Sequence, residues 1–474
     1  MGGVDAADEP TRASERQLAV TPARPSLPEK ALCMTTLPML ELTRNAVGKD
    51  GFLRASGIVF VGFSTARVLG FLFMVAAGHL LPGTEFGRLT YALTVAAILS
   101  ALLSSSPIGM ARFLALNRGQ SSEQDSYFSN WVLVVALLLL ASLAITPLAG
   151  GFLGLDGPLI VGLAANLVGV AVLETYREAQ RGLNRYLMMG VFYVSANALQ
   201  LIVILFLGRL DVRVASAYLI VYGLSSVAAL FVLELISPLR LRFDLRLLDR
   251  RRVLQIMAFI APLLVQSVFF VIWYGVDVIV VGEALGPAPT GDYGAAKTLG
   301  LALIMPTIAV ATPLMPRVAR LSPERLRQYL TRVIILTGGV ALPLAGLGAL
   351  FSGVVVELTF GDKYRHAADA LPVIAVGMVA FGFHHILSSL WVGRGKPLIA
   401  LVSTGGGMLV SMVLAVLWVR PFGLLGAGAA FSSGSVVRTL IIGGYTVFHL
   451  VLRPMPEPAT PAPPPSPGLK PQQS

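Results

Sequence analysis

Charge is the first thing this sequence lacks. Asp, Glu, Lys and Arg make up 13% of its 474 residues, about half of what a soluble domain carries to cover its surface. Cysteine is almost missing too. Cys33 stands alone, which excludes a disulfide framework and a metal centre built on several thiolates. The connections between apolar stretches are short, so no soluble catalytic domain is expected, and neither a catalytic triad nor a metal motif is visible. No charged segment followed by a short apolar stretch and a cleavage site opens the chain, so no signal peptide is expected. Met34 offers a second candidate start.

What the sequence has in place of charge is hydrocarbon. Hydrophobic residues reach 55% and the mean hydropathy is +0.77. Apolar runs of about 20 residues recur, each long enough to cross about 30 Å of bilayer. The implied fold class is an all-α integral membrane protein. Twelve spans fit, the first six near 55–81, 87–107, 131–148, 158–176, 187–208 and 214–236. The second six lie near 256–282, 292–315, 331–351, 370–391, 397–419 and 424–450. Residues 1–50 read as a disordered cytoplasmic segment, 51–236 and 256–451 as two six-helix bundles, 237–255 as a basic cytoplasmic linker, and 452–474 as a Pro-rich disordered tail.

The net charge of +11 is not gathered into one face or tail, so no nucleic-acid partner is expected. It falls in alternate loops. One side carries Arg112, Arg118, Arg177, Arg181, Arg185 and the run from Arg240 to Arg252. Arg317, Arg320, Arg325, Arg327, Arg332, Arg394 and Lys396 continue that side. The opposite loops hold Arg88, Arg209, Arg213, Lys363, Arg365 and Arg420. The positive-inside rule puts both termini in the cytoplasm. Leu239–Arg252 is basic with interleaved Leu, and two readings stay open: an amphipathic helix on the inner leaflet or a solvated loop.

An internal repeat underlies the two halves. GHLLPGTEFGRLTYALT from Gly78 can be laid over GEALGPAPTGDYGAAKT from Gly282 without gaps. Gly78 then meets Gly282, Leu81 meets Leu285, Gly87 meets Gly291, Ala92 meets Ala296 and Thr94 meets Thr298. Six spans is an even number, so the halves would share orientation about an axis along the membrane normal, with a substrate cavity between them.

At these residues the sequence resembles the polysaccharide flippases, in the superfamily that also holds lipid II flippases and multidrug and toxin extruders. The likeness is carried by VDVIVVGEALGPAPTGDYGAAKTL (Val276–Leu299), TFGDKYRHAADALPVI (Thr359–Ile374), GRGKPLIA (Gly393–Ala400), GLLGAGAA (Gly423–Ala430) and ARVLGFLFMVAAGHLL (Ala66–Leu81). The resemblance implies two six-helix bundles in a V around a polar cavity. It further implies transport of an undecaprenyl-pyrophosphate-linked oligosaccharide from the inner to the outer leaflet of the bacterial cytoplasmic membrane. The partners implied are the lipid-linked oligosaccharide, the bilayer, and polysaccharide polymerase and export proteins. The expected cofactor is none, apart from H⁺ or Na⁺ as a coupling ion. The two further helices usual in the lipid II branch find no room here, which favours the polysaccharide branch.

Charges inside the spans are the candidate site. Arg67 lies midway along span one, where a lone cation costs about 3 kcal/mol. Phosphate oxygens suit its planar guanidinium, and lipid II flippases carry a similar Arg-Val-Leu-Gly-Phe run. An interhelical ion pair is the competing role. Arg438 in span twelve faces the same choice. Asn197 and Gln200 in span five either line the cavity or join helices. Asp277 and Lys297 are expected at similar depth, as a salt bridge fixing the hairpin of spans seven and eight or, alternatively, with Asp277 as a coupling site. His384 and His385 are candidate titrating groups, with a neutral hydrogen-bonded imidazole favoured. Glu174, Glu178 and Glu234 read as solvated carboxylates or partners of Arg177 and Arg181 at helix ends. Pro262, Pro306, Pro313, Pro343 and Gly405–Gly407 fall within spans, where they suit rocking motions. The alternative functions are an ion-coupled multidrug extruder on the same fold, a membrane polysaccharide polymerase or ligase, and a scaffold of an export complex.

Overall fold

The protein is described by a computed structural model covering residues 49–311, 323–394 and 396–452. The expectations at Cys33, Met34, Pro313, Arg317 and Arg320, and those for segments 1–48 and 453–474, lie outside the described residues. The chain divides into residues 1–54 and 55–474. Of the first unit only 49–54, the opening of helix α1, is described.

All regular elements among the described residues are helices, and Gly or Pro punctuates them. Helix α1 (Lys49–Leu80) stops before Pro82, whose extended backbone starts α2 (Gly83–Leu99). After Ser100 the chain bends by 55° into α3 (Ala101–Ser105), a 3-10 turn over Ser106–Gly109, and α4 (Met110–Leu116). Then follow α5 (Ser121–Phe152), α6 (Gly157–Gly182), α7 (Tyr186–Arg209), α8 (Ala215–Ile236) and α9 (Arg250–Leu285). Asp156 caps α6 by accepting from Leu159 N. Gly286 takes φ +89°, a left-handed turn that suits glycine, and α10 (Pro287–Ala311) begins at once. The rest is α11 (Pro323–Leu350), α12 (Ser352–Phe360), α13 (Ala367–Gly393) and α14 (Pro397–Val447).

Helix α14 has 51 residues, which at about 1.5 Å each is more than twice the hydrocarbon thickness. It is two spans. Gly423 breaks it with φ 61° and ψ −137°, and Gly407 on one arm faces the backbone of Gly434 on the other. Among the described residues nine helices are long and apolar enough to cross a membrane, and the bent α2–α4 run makes a tenth. Division of α14 at Gly423 adds one more, and α10, the counterpart of α2 in the repeat, lies at the place of the eighth expected span. The protein is an all-α, multi-pass membrane protein. Its outward faces are apolar, with Leu148 75% and Phe152 90% exposed, as lipid rather than water requires.

The repeat has a physical counterpart. A Cβ added at Gly87 would overlap the carbonyl of Pro287, and one added at Gly291 would lie 2.8 Å from the carbonyl of Gly83. Gly83 and Pro287, like Gly87 and Gly291, are equivalent positions in the aligned segments. Each member touches the counterpart of its own neighbour, the mark of a self-complementary two-fold contact. Thr90 and Gly294, another equivalent pair, also meet, at 2.5 Å from a Cβ built on the glycine. Helices α2 and α10 therefore cross on a pseudo-two-fold axis, and small residues let their backbones approach.

The linker decides between the two open readings. Residues 237–249 form no amphipathic helix, and most of them are exposed, as the loop reading expects. They make an extended strap with one 3-10 turn at Leu245–Leu247, tied to the start of α5 by side chains. Asn130 Nδ2 donates to Leu247 O at 2.9 Å and its Oδ1 accepts from Asp249 N at 2.8 Å. Ser129 Oγ accepts from Asp244 N, and Asp125 accepts from Arg242 N. Leu239 and Leu241 pack into the apolar cluster around Trp131 and Ile256. The arginines point outward, as a positive-inside loop requires, while the backbone is held. Helix propensity missed this because the anchors are polar side chains more than 100 residues away.

Candidate functional site

Arg67 projects from the middle of α1. It is exposed, and it makes no hydrogen bond or ion pair among the described residues. It nevertheless acts electrostatically on Glu174 of α6, Tyr222 of α8, Tyr274 of α9 and His385 of α13. Those groups belong to helices of both halves of the chain.

Glu174 belongs to an ion network at a helix end, where the sequence suggests either solvated carboxylates or partners of Arg177 and Arg181; the paired reading is the one seen. Glu174 and Glu178 are buried. Arg177 pairs with Glu174 and, at 3.1 Å, with Glu178. Its Nη1 donates to the Tyr193 hydroxyl at 2.9 Å, and that hydroxyl donates to Glu174 at 3.1 Å. Phe63 of α1 packs on the Tyr193 ring at 4.8 Å. Glu234 instead accepts from Leu239 N and ends α8. The solvated alternative fails for Glu174 and Glu178 because the helix end turns inward; burial then requires the pairing that is seen.

Asp277 and Lys297 lie together at the core of the second half. Asp277 is fully buried. Its carboxylate accepts from Lys297 at 2.7 and 2.9 Å, from the Tyr293 hydroxyl at 2.6 Å and from Val278 N at 2.9 Å. Lys297 also donates to the Tyr274 carbonyl and sits over the rings of Tyr274 and Phe431. All the strong hydrogen-bonding capacity of the carboxylate faces a donor.

Arg438 is 2% exposed, and so does not line an open surface. Its guanidinium stacks 3.9 Å from the Trp273 ring centroid, with Phe381 and Phe270 around it. Its Nη2 donates to His384 Nδ1 at 2.7 Å, and His384 Nε2 bonds Ser403 Oγ at 3.0 Å. The adjacent His385 is half-buried against Phe381. Gln200 is buried, with Nε2 donating to Tyr222 O at 2.9 Å, so it joins α7 to α8. Asn197 donates back to Tyr193 O at 2.8 Å. Tyr193, Tyr222, Tyr274 and Trp273 are not among the ionisable and amide positions that the sequence marks inside the spans. A polar aromatic within an apolar run was the available signal.

At the C-terminal end of α1 the two halves are clasped. Lys363 donates to Leu81 O at 2.8 Å and His79 O at 3.2 Å, and Tyr364 donates to Gly78 O at 3.0 Å. His79 Nε2 bonds Thr359 O at 2.8 Å. Phe86, Phe360 and Tyr364 close the contact as an aromatic cluster. Burial, with Arg213 nearby, holds the Lys363 ammonium below its ordinary pKa. Among the described residues no group of three or more His, Cys, Asp or Glu is placed to hold a metal.

Known proteins are similar to this chain in sequence and fold. An uncharacterized membrane protein of Methanocaldococcus jannaschii is 23% identical over 81% of this chain and 95% of its own length. A probable low-salt glycan biosynthesis flippase of Haloferax volcanii is 25% identical over 37% of this chain and 38% of its own. A putative O-antigen transporter of Shigella flexneri is 23% identical over 35% and 40% respectively. Among solved structures, the lipid II flippase MurJ in an inward closed conformation superposes with a TM-score of 0.69 at 12% identity, covering 82% of this chain and 87% of that one. An inward-facing multidrug resistance MATE family transporter gives 0.66 at 17% identity, covering 83% and 98%. These likenesses establish a shared fold. The MatE family model matches residues 262–417. The family model described as polysaccharide biosynthesis protein matches residues 52–322, more than half of the sequence, and the chain belongs to that family of membrane transporters.

Proposed function

We infer that this transporter flips an undecaprenyl-pyrophosphate-linked oligosaccharide from the inner to the outer leaflet of a bacterial cytoplasmic membrane, with both termini cytoplasmic. The observation that carries the reading is Arg67, an intramembrane guanidinium with no protein partner among the described residues, set among groups of both halves. A cation so placed calls for an anion from outside the chain, and a pyrophosphate offers several charge-assisted acceptors to a planar fork. The names of the Haloferax and Shigella relatives support a surface-glycan substrate. In this orientation the C-terminal end of α1 is extracytoplasmic, so the Lys363–Tyr364 clasp closes the outer side and the headgroup enters from the cytoplasm. Polysaccharide polymerase and export proteins would receive the product.

The experiment compares lipid-linked oligosaccharide pools in a deletion strain carrying wild-type protein, no protein, or Arg67→Ala. The reading expects undecaprenyl-linked repeat units to accumulate on the cytoplasmic side in the last two, with Arg67→Ala protein at normal level. Normal export by Arg67→Ala removes Arg67 from the mechanism, and normal export without the protein removes the function. The MatE match over residues 262–417 favours one second reading, an ion-coupled multidrug extruder. Deletion should then sensitise cells to cationic dyes while surface polysaccharide persists.

A further inference from the structure

The hydrogen bonds around His384 fix which of its nitrogens holds a proton. Ser403 Oγ donates its one proton to Ala400 O at 3.0 Å. Its contact with His384 Nε2 at 3.0 Å therefore runs the other way, from Nε2–H to Oγ. Arg438 has donors and no acceptor, so its 2.7 Å contact requires a bare lone pair on Nδ1. A single chain of donors results, from Arg438 through His384 and Ser403 to Ala400. The second protonation position of the imidazole is Nδ1, and Arg438 occupies it. Beyond His384, Arg438 is held by the rings of Trp273, Phe381 and Phe270, with no other hydrogen-bonded anchor among the described residues. It is 2% exposed, and its Nε and Nη1 have no hydrogen-bond partner among the described residues.

We propose that His384 Nδ1 is a proton-binding site whose occupancy excludes the anchoring of Arg438, so that each proton taken up frees one guanidinium from the face of Trp273. The charged and titratable groups acting on His384 are Arg438 from α14 and His385 on its own helix. Lys297, from the packed helix α10, is paired with Asp277. Among the described residues of α11 and α12, also packed on α13, no charged group acts on it. Arg67 of α1 acts on His385. Two cations beside one another repel, so the proton enters as Arg438 withdraws toward an anion that engages its free N–H groups. Proton and anion then favour each other's binding. The site stands on geometry alone; its use to couple transport rests on the flippase reading.

The test follows Trp273 fluorescence. The full-length protein is placed in nanodiscs of phosphatidylethanolamine and phosphatidylglycerol and titrated from about pH 8 to about pH 4, the range in which histidine charges. We expect one transition, absent in Trp273→Phe, abolished in His384→Gln and retained in His385→Gln. Ser403→Ala removes the acceptor that stabilises the Nε2–H of the imidazolium, so it should move the midpoint to lower pH. A flat wild-type titration, a transition surviving His384→Gln, or a midpoint unmoved by Ser403→Ala overturns the proposal. None of these readouts uses a substrate. A normal titration combined with unimpaired export in the deletion strain would refute the flippase reading while leaving the proton site intact.

Discussion

Asp277→Asn is the sharpest probe of what holds the second half together. The carboxylate is fully buried and accepts four hydrogen bonds, two of them from Lys297. Asparagine keeps one acceptor oxygen and turns an NH₂ group toward existing donors. Removing one partner of a buried ion pair costs about 3–5 kcal/mol. The ring of Tyr274 at 4.4 Å from Nζ is already engaged in the wild type, so it offsets none of that loss. The assay is equilibrium unfolding in mixed detergent micelles, run as a cycle with Lys297→Met. In the latter the carboxylate keeps Val278 N–H and the Tyr293 hydroxyl, so the loss should be smaller. The double variant should be more stable than Asp277→Asn alone, with a coupling energy of about 1–3 kcal/mol. The charge swap Asp277→Lys with Lys297→Asp should not restore stability, because it leaves Val278 N–H and the Tyr293 hydroxyl without an acceptor at about 1–3 kcal/mol each. Additive single-variant losses, or full rescue by the swap, would show that the hydrogen-bonded geometry is not what matters.

Gly87→Val should abolish monodisperse folded protein in fluorescence-detected gel filtration, since even a Cβ overlaps the Pro287 carbonyl and overpacking typically costs about 1–3 kcal/mol. Gly57→Ala, where a Cβ meets nothing, should behave as wild type in the same assay. Asn130→Ala unpairs Leu247 O and Asp249 N, both only partly shielded from water, at about 0.5–1.5 kcal/mol for each hydrogen bond lost. It should expose 237–249 to limited proteolysis while the spans stay protected.

The spans, the hairpin turn at Gly286 and the repeat were legible because they depend on local signals: apolar length, Gly and Pro, and spacing. Asp277 and Lys297 meet because a short turn puts them at one depth. The rest is non-local. The strap at 237–249 takes its shape from Asp125, Ser129 and Asn130, which a window along the sequence cannot weigh. The bend after Ser100 carries no Pro of its own, and the span predicted as 87–107 turns there. Arg438 is left by the sequence with both a cavity role and an interhelical role open. Its burial depends on Trp273, Phe381 and His384 from two other helices, and nothing within span twelve reports that.

Three kinds of intramembrane charge are thus treated differently by one fold. Around Asp277 and Lys297 every strong acceptor and the ammonium are engaged, which makes the pair a stabilising hub with no valence left for a ligand. Arg438 has one acceptor, and that acceptor is itself titratable. Arg67 has no hydrogen bond or ion pair among the described residues and stands exposed. A fold able to saturate one buried charge could in principle saturate the others, since carboxylates such as Glu174 lie within electrostatic reach of Arg67. Glu174 is instead taken by Arg177 and Tyr193. That allocation leaves Arg67 without a neutralising carboxylate among the described residues, which is what the proposed anion-binding role requires. The prediction separates the two arginines. Arg67→Ala should leave unfolding within about 0.5 kcal/mol of wild type, as for a residue without contacts, and still stop export. Arg438→Ala removes buried stacking on Trp273 and should lower stability as well. Equal destabilisation by both would mean that Arg67 is a packing residue and that the anion site lies elsewhere.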